Sequence, residues 1–131
     1  MPAGTTENIM WFHCASLGEY MQTKPLIEAL KERHTEHKIL LTFFSPSGYL
    51  NTGKNEHVDY KAYMPLDTPA NAQSFLERTK PKIAIFIKSE LWPNFFKKLH
   101  HNSIPTYVVS AVFKPQHYLF KFYGKWHLSI L

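Results

Sequence analysis

Five short apolar runs, separated by segments of helical pattern, constrain this chain more than any other feature. They are Ile9-Met10-Trp11-Phe12, Ile39 to Phe44, a weaker run from Val58 to Met64, Ile83 to Ile87, and Thr106 to Val109. Runs one, two, four and five are nearly all apolar and do not alternate with polar residues. Strands read this way when both faces of their sheet are covered. Between them, Leu26, Ile27 and Leu30 share one helical face, with Glu28, Lys31 and Glu32 outside it. Thr68-Pro69 has the form of a helix start, with threonine as N-cap and proline in the first turn. Leu91 to Asn102 carries Phe95, Phe96 and Leu99 along one side. Strand and helix alternating in this order predict an α/β fold, a Rossmann-like parallel sheet of five strands with helices on both faces. At 131 residues the expectation is one domain spanning 1–131.

Two further segments carry local expectations. Pro25 sits too far in for a helix beginning at Leu17, which predicts a kink or a start near Met21. The aromatic and basic tail from Tyr118 to Trp126 reads as an amphipathic helix, packed on a core or lying on a membrane surface.

Composition narrows the function classes. The net charge of +5 favours acidic partners such as phosphates or anionic headgroups. Nucleic acid is not expected, because neither an arginine-rich helix nor an RNP-like aromatic strand is present. A single cysteine, Cys14, excludes an internal disulfide. Met1 to Asn8 lacks the regions of a signal peptide, and no run is long enough to predict a membrane span, so the chain is expected to be soluble. Eight histidines raise the question of a metal. The pairs His34 and His37, and His100 and His101, do not match zinc-site spacing, and HExxH is missing, so neither metal nor cofactor is expected.

On a parallel sheet, ligands bind where strands end and helices begin. The first such junction, His13-Cys14-Ala15-Ser16-Leu17-Gly18-Glu19, has two readings. Ser16 and Glu19 have capping-box spacing, while Glu19 is also a carboxylate placed for acid-base work. Gly18 permits a tight turn or a close ligand. Cys14 lacks an activating pattern and reads as packing. Ser45-Pro46-Ser47-Gly48 is either an ordinary helix start or a set of hydroxyls facing phosphate or sugar oxygens. Lys88-Ser89-Glu90 places a second carboxylate and a lysine past the fourth run, where Glu90 could equally be a cap.

Four segments together resemble one family. Phe12-His13-Cys14-Ala15-Ser16-Leu17-Gly18-Glu19-Tyr20 is similar to its FHAxSxGE[FY] segment, followed by Lys24-Pro25-Leu26-Ile27-Glu28-Ala29-Leu30. Ser45-Pro46-Ser47-Gly48 resembles its T-P-[ST]-G turn. Met64-Pro65-Leu66-Asp67-Thr68-Pro69 resembles its LPxDxP link, and Ser89-Glu90-Leu91-Trp92-Pro93-Asn94 its [TS]-E-L-W-P-N motif. In this order and at these spacings, they resemble the Kdo (3-deoxy-D-manno-octulosonic acid) transferases. The resemblance runs from Trp11 to Gly124. Ser110-Ala111-Val112-Phe113-Lys114 departs from it, with Lys114 as the positive charge where the family often has arginine.

The resemblance implies the N-terminal, acceptor-binding half of an inverting GT-B glycosyltransferase that uses no metal. The donor would be CMP-Kdo and the acceptor a lipid A precursor at the cytoplasmic face of the bacterial inner membrane. It implies Glu19 as general base and Glu90 as a second active-site carboxylate. Ser16, Gly18, Ser45, Ser47, Gly48, Lys88 and Lys114 would lie on the acceptor side. The family's membrane anchor and donor-binding second domain have no counterpart in the sequence, so the expectation is an excised domain that does not transfer by itself. The competing reading is a flavodoxin-like module that binds a phosphate ligand or a protein partner without catalysis. That module would keep the capping box and need no Glu19 carboxylate.

Overall fold

The computed structural model describes residues 8–44, 46–51, 57–87, 92–111, 117–122 and 125–130. In chain order the elements are β1 (Asn8–Cys14), α1 (Leu17–Arg33), β2 (His37–Phe43), α2 (Pro46–Asn51), β3 (Tyr60–Tyr63), α3 (Pro69–Thr79), β4 (Pro81–Ile87), α4 (Pro93–His101), β5 (Thr106–Ala111), β6 (His117–Phe122) and β7 (Lys125–Ile130). One sheet holds all the strands in the order β3-β2-β1-β4-β5-β6-β7. The first five run parallel, as their apolar runs predict. The last two turn back antiparallel.

The strand period of two divides β1 between two cores. Met10, Phe12 and Cys14 join Ile39, Leu41, Phe43, Ile85 and Ile87 under Tyr20, Leu26 and Ile27 of α1. Ile9 and Trp11 join Leu40, Ala84 and Phe86 on the opposite face, under Ala72 and Leu76 of α3 and Phe95 and Leu99 of α4. Each fully buried side chain of this size contributes roughly 1.5–3 kcal/mol relative to an exposed one. Trp11 is the hub of the second core. Its ring lies 4.7 Å from Phe75, 5.1 Å from Phe86 and 5.8 Å from Phe95, all tilted or edge-on.

Two expectations need correction. The helix α1 starts at Leu17 and runs through Pro25, with no later start near Met21. Proline removes one amide donor and crowds the carbonyl four residues back. Here that carbonyl belongs to Met21, on an exposed part of the helix where water can reach it. Nearby, the Thr23 hydroxyl donates to the carbonyl of Glu19 at 2.8 Å. The second correction concerns the aromatic tail, which forms β6 and β7 and not a helix. Aromatic residues favour strands, and two residues separate the two runs, the spacing of a tight hairpin. The edge of β5 supplies the partner that a lone amphipathic helix would not need, pairing Tyr107 with Phe122 and Val109 with Phe120.

Within this apolar sheet sits one polar knot. Thr42 Oγ1 accepts from Trp11 Nε1 at 2.9 Å and lies 2.8 Å from Nδ1 of His13, its neighbour across the β1–β2 ladder. The His13 ring is fully buried, 5.0 Å from Trp92 and 5.7 Å from Phe86. Among the described residues its Nε2 has no hydrogen-bond partner. Burial outweighs the Thr42 bond and lowers the His13 pKa from 6.5 to about 4.

That shift has a signed consequence for stability. The unfolded chain takes up the His13 proton near pH 6.5, while the folded chain resists until about pH 4. The stabilisation is complete above pH 6.5 and is lost as the pH falls through this window, amounting to about 3 kcal/mol. Denaturant unfolding of the wild type and of His13→Gln, at pH 7.5 and again at pH 4, checks this. The wild type should lose about 3 kcal/mol more than the variant between the two pH values.

Candidate functional site

The strands β1, β2 and β4 point their C-terminal ends the same way, and α1, α2 and α4 start beyond them. By position in the chain, the residues singled out in sequence follow these three strands, except Lys114, which follows β5.

Beyond β1, Ser16 is the N-cap of α1 with an extended backbone, and its Oγ accepts the amide of Glu19 at 3.4 Å. Glu19 answers with its own side chain. Its Oε1 accepts the amide of Ala15 at 2.8 Å, one residue beyond the reach of a standard capping box. So Glu19 does cap, and the bond leaves its carboxylate anchored through Oε1. The position also suits an anion, since the first turn of a helix presents unpaired amides and the positive end of its dipole.

Gly18, next to it, is exposed and lies within the first turn of α1. A Cβ added there would meet only the Ser16 hydroxyl, at 3.9 Å. Among the described residues, neither a tight turn nor close packing therefore requires glycine there. Cys14 is fully buried on the face toward α1, with its Sγ 3.9 Å from the Thr23 hydroxyl. Burial pushes its thiol up to about 12, against a lowering by the Thr23 bond and with a further push from the Glu19 charge. A thiol held so firmly protonated is no nucleophile.

Beyond β2, Ser47 and Gly48 fall in the six-residue helix α2. Ser45 and the side chain of Ser47 lie outside the described residues, as do Lys88, Glu90 and Lys114. Glu90 follows the end of β4 by three residues in sequence.

Beyond β4, the start of α4 is capped from a distance. Trp92 is its N-cap residue and makes no side-chain cap bond. Asp67 does the work instead, accepting the amides of Asn94 at 3.3 Å and Phe95 at 3.1 Å through its carboxylate. Asn94 returns a bond from Nδ2 to the Asp67 carbonyl at 2.9 Å. Two of the four motif segments are thereby tied together. Thr68, next in sequence, caps α3 through the amide of Asn71 at 3.1 Å, as its place before Pro69 predicts. Trp92 is packed between His13 and the half-exposed Phe44, whose ring is 5.4 Å away. An aromatic shelf therefore borders the same edge of the sheet.

Sequence reasoning missed Asp67 as a cap, because its partners lie 27 and 28 residues away. It also missed the His13–Thr42 pair, which only the strand register brings together. A cavity of about 520 Å³ opens elsewhere, between β3 and α3, against Tyr60, Ala62, Phe75 and Arg78. Among the described residues, none of the sequence-predicted site residues lines it.

Comparison with known proteins agrees with the motif geometry. The profile of the 3-deoxy-D-manno-octulosonic-acid transferase (Kdo transferase) family matches residues 1–128. The 3-deoxy-D-manno-octulosonic acid transferase of Aquifex aeolicus is 37% identical over 107 residues, covering 80% of this chain and 28% of that protein. The enzyme of the same name from Haemophilus influenzae is 31% identical over 104 residues, covering 78% of this chain and 24% of its own length. A probable mitochondrial 3-deoxy-D-manno-octulosonic acid transferase of Arabidopsis thaliana is 32% identical over 105 residues, covering 79% and 24%. The chain thus spans about a quarter of the length of these relatives. With nearly every residue inside the family profile, the chain belongs to the Kdo transferase family.

Proposed function

We propose that this chain is the N-terminal, acceptor-binding domain of a Kdo transferase and that Glu19 is the general base of the transfer. The reading rests on the family membership and on one observation, the anchored Glu19 carboxylate beside a glycine that the fold does not itself require. In an inverting transfer the acceptor oxygen bonds the anomeric carbon of Kdo. CMP departs with the electrons of the broken bond, and the hydroxyl proton goes to the base. A positioned carboxylate gives such a step about 10²- to 10⁴-fold. The bond from the Ala15 amide holds one oxygen of Glu19 in place.

The remaining roles follow the same reading. Ser16 and Gly18 border the acceptor sugar, with Gly18 letting it approach the start of α1. Ser45, Ser47 and Gly48 line the acceptor cleft beyond β2. Glu90 is the second carboxylate, positioning acceptor or base. Lys88 and Lys114 meet the phosphates of the lipid A precursor, in keeping with the net charge of +5. The donor CMP-Kdo is held mainly by a second domain, the reaction needs no metal or cofactor, and the whole protein works at the cytoplasmic face of the inner membrane. Among the described residues no helix is long and apolar enough to cross a membrane.

Three measurements test this. Glu19→Gln can still accept the Ala15 amide but cannot take a proton. In the transfer-competent protein it should lower turnover by at least about 10²-fold and change stability by about 1 kcal/mol or less. Full activity with lowered stability would refute the assignment and favour the non-catalytic module. Gly18→Ala should stabilise the domain slightly, by up to about 1 kcal/mol, since alanine is the better helix former. The same change should raise KM for the acceptor; an unchanged KM with the higher Tm would show that nothing approaches Gly18. Finally, the 131-residue chain titrated with lipid A precursor should bind weakly and lose that binding as salt rises. CMP should bind negligibly, and tight CMP binding without a response to lipid would reverse the donor and acceptor sides.

A further inference from the structure

The histidines at the far end of α1 flank a glutamate in the sequence, and the fold draws the three side chains together. After the helix ends at Arg33, the chain turns sharply into β2, and the amide of His37 donates to the carbonyl of His34 at 3.0 Å. The turn brings three side chains together. Glu36 Oε1 lies 3.1 Å from His37 Nδ1 and 4.0 Å from His34 Nδ1. One ligand atom from each residue falls within 4.8 Å of the other two. The two imidazole rings stand edge to face, with centroids 5.6 Å apart.

We propose that His34, Glu36 and His37 form a surface site for a late first-row divalent ion, with zinc as its representative. Two imidazoles and one carboxylate make a borderline donor set that suits Zn²⁺, Ni²⁺ or Cu²⁺ and not Mg²⁺ or Ca²⁺. Bonds of about 2.0–2.2 Å to a tetrahedral ion put neighbouring donor atoms about 3.3 Å apart. The Glu36–His37 pair at 3.1 Å already has this separation, while the His34–Glu36 pair at 4.0 Å and the His34–His37 pair, within 4.8 Å, must draw together. His34 and Glu36 are exposed, so rotamer changes suffice.

The backbone under the site is held from a second direction. Lys31 Nζ, in the last turn of α1, donates to the carbonyl of His37 at 2.6 Å. The Lys31 charge is met by Asp59 at 3.0 Å, so a cation at the turn does not face it alone. Water completes the coordination. The site sits at the N-terminal end of β2, the opposite end of the sheet from Ser16 and Glu19, so it is separate from the proposed transfer site. A bound ion would clamp the C-terminus of α1 to the first residue of β2.

Thermal unfolding and calorimetry of the 131-residue chain test this with zinc as the probe. Zinc should bind one to one and raise Tm by several degrees at high excess, because it binds the folded turn and not the unfolded chain. Magnesium should leave Tm unchanged. His34→Ala and His37→Ala, each at a surface position, should each weaken zinc binding by at least about 10-fold. Glu36→Gln should weaken it too. His57→Ala is the control, because His57 stands 3.8 Å from Glu28 and 3.7 Å from Glu32 and is the rival cluster on the same helix. A zinc shift that survives the loss of His34 and His37, that vanishes with His57, or that never occurs overturns the proposal.

Discussion

The parallel ladders that β1 makes with β2 on one side and β4 on the other are the constraint on which the rest of the domain depends. Ile9 through Cys14 is buried on both faces, so each of its residues belongs to one of the two cores. No residue there can face water, and only apolar side chains or internally bonded ones fit. His13 is the exception in type. It is accommodated because Thr42 stands opposite and because its imidazole stays neutral. The same strand delivers the chain to Ser16 with its direction fixed, so the start of α1 inherits its place from the centre of the sheet.

Around that edge, residues that resemble catalytic motifs also do structural work. Asp67 holds the start of α4, and Asn94 holds Asp67 in return. At the start of α1, Ser16 accepts the Glu19 amide and the Glu19 carboxylate accepts the Ala15 amide. The base role proposed for Glu19 is compatible with such a cap. A carboxylate anchored by one amide is an oriented carboxylate, and orientation is what a base in a cleft needs.

The parallel part of the fold was legible because β1, β2, β4 and β5 are covered on both faces, and double burial leaves an unbroken apolar run. The cap at Thr68 was legible because capping is local. Other features fell outside that reach. Aromatic residues at 118–126 fit a helical face or a strand, and only the open edge of β5 decides for strands. Pro25 within α1 depends on where its orphaned carbonyl faces, which sequence does not tell. The Asp67 cap and the His13–Thr42 pair join residues far apart in the chain. For the site, the sequence located Ser16, Gly18 and Glu19 past the end of β1. The bond from Glu19 to Ala15, and the room around Gly18, became visible only in three dimensions.

The order of strands carries a consequence for how the domain is made. Met10 faces Ile39 on one side and Ile83 on the other. A ribosome emits the first neighbour early and the second only after two more strand–helix units. Until β4 emerges, β1 has an open flank of unpaired amides, and Trp11 lacks Phe86 and Phe95. The nascent half-sheet therefore exposes this flank of β1 until β4 has been made. Closing it requires a long loop to be brought together first, so the β1–β4 ladder costs more chain entropy to form than the β1–β2 ladder.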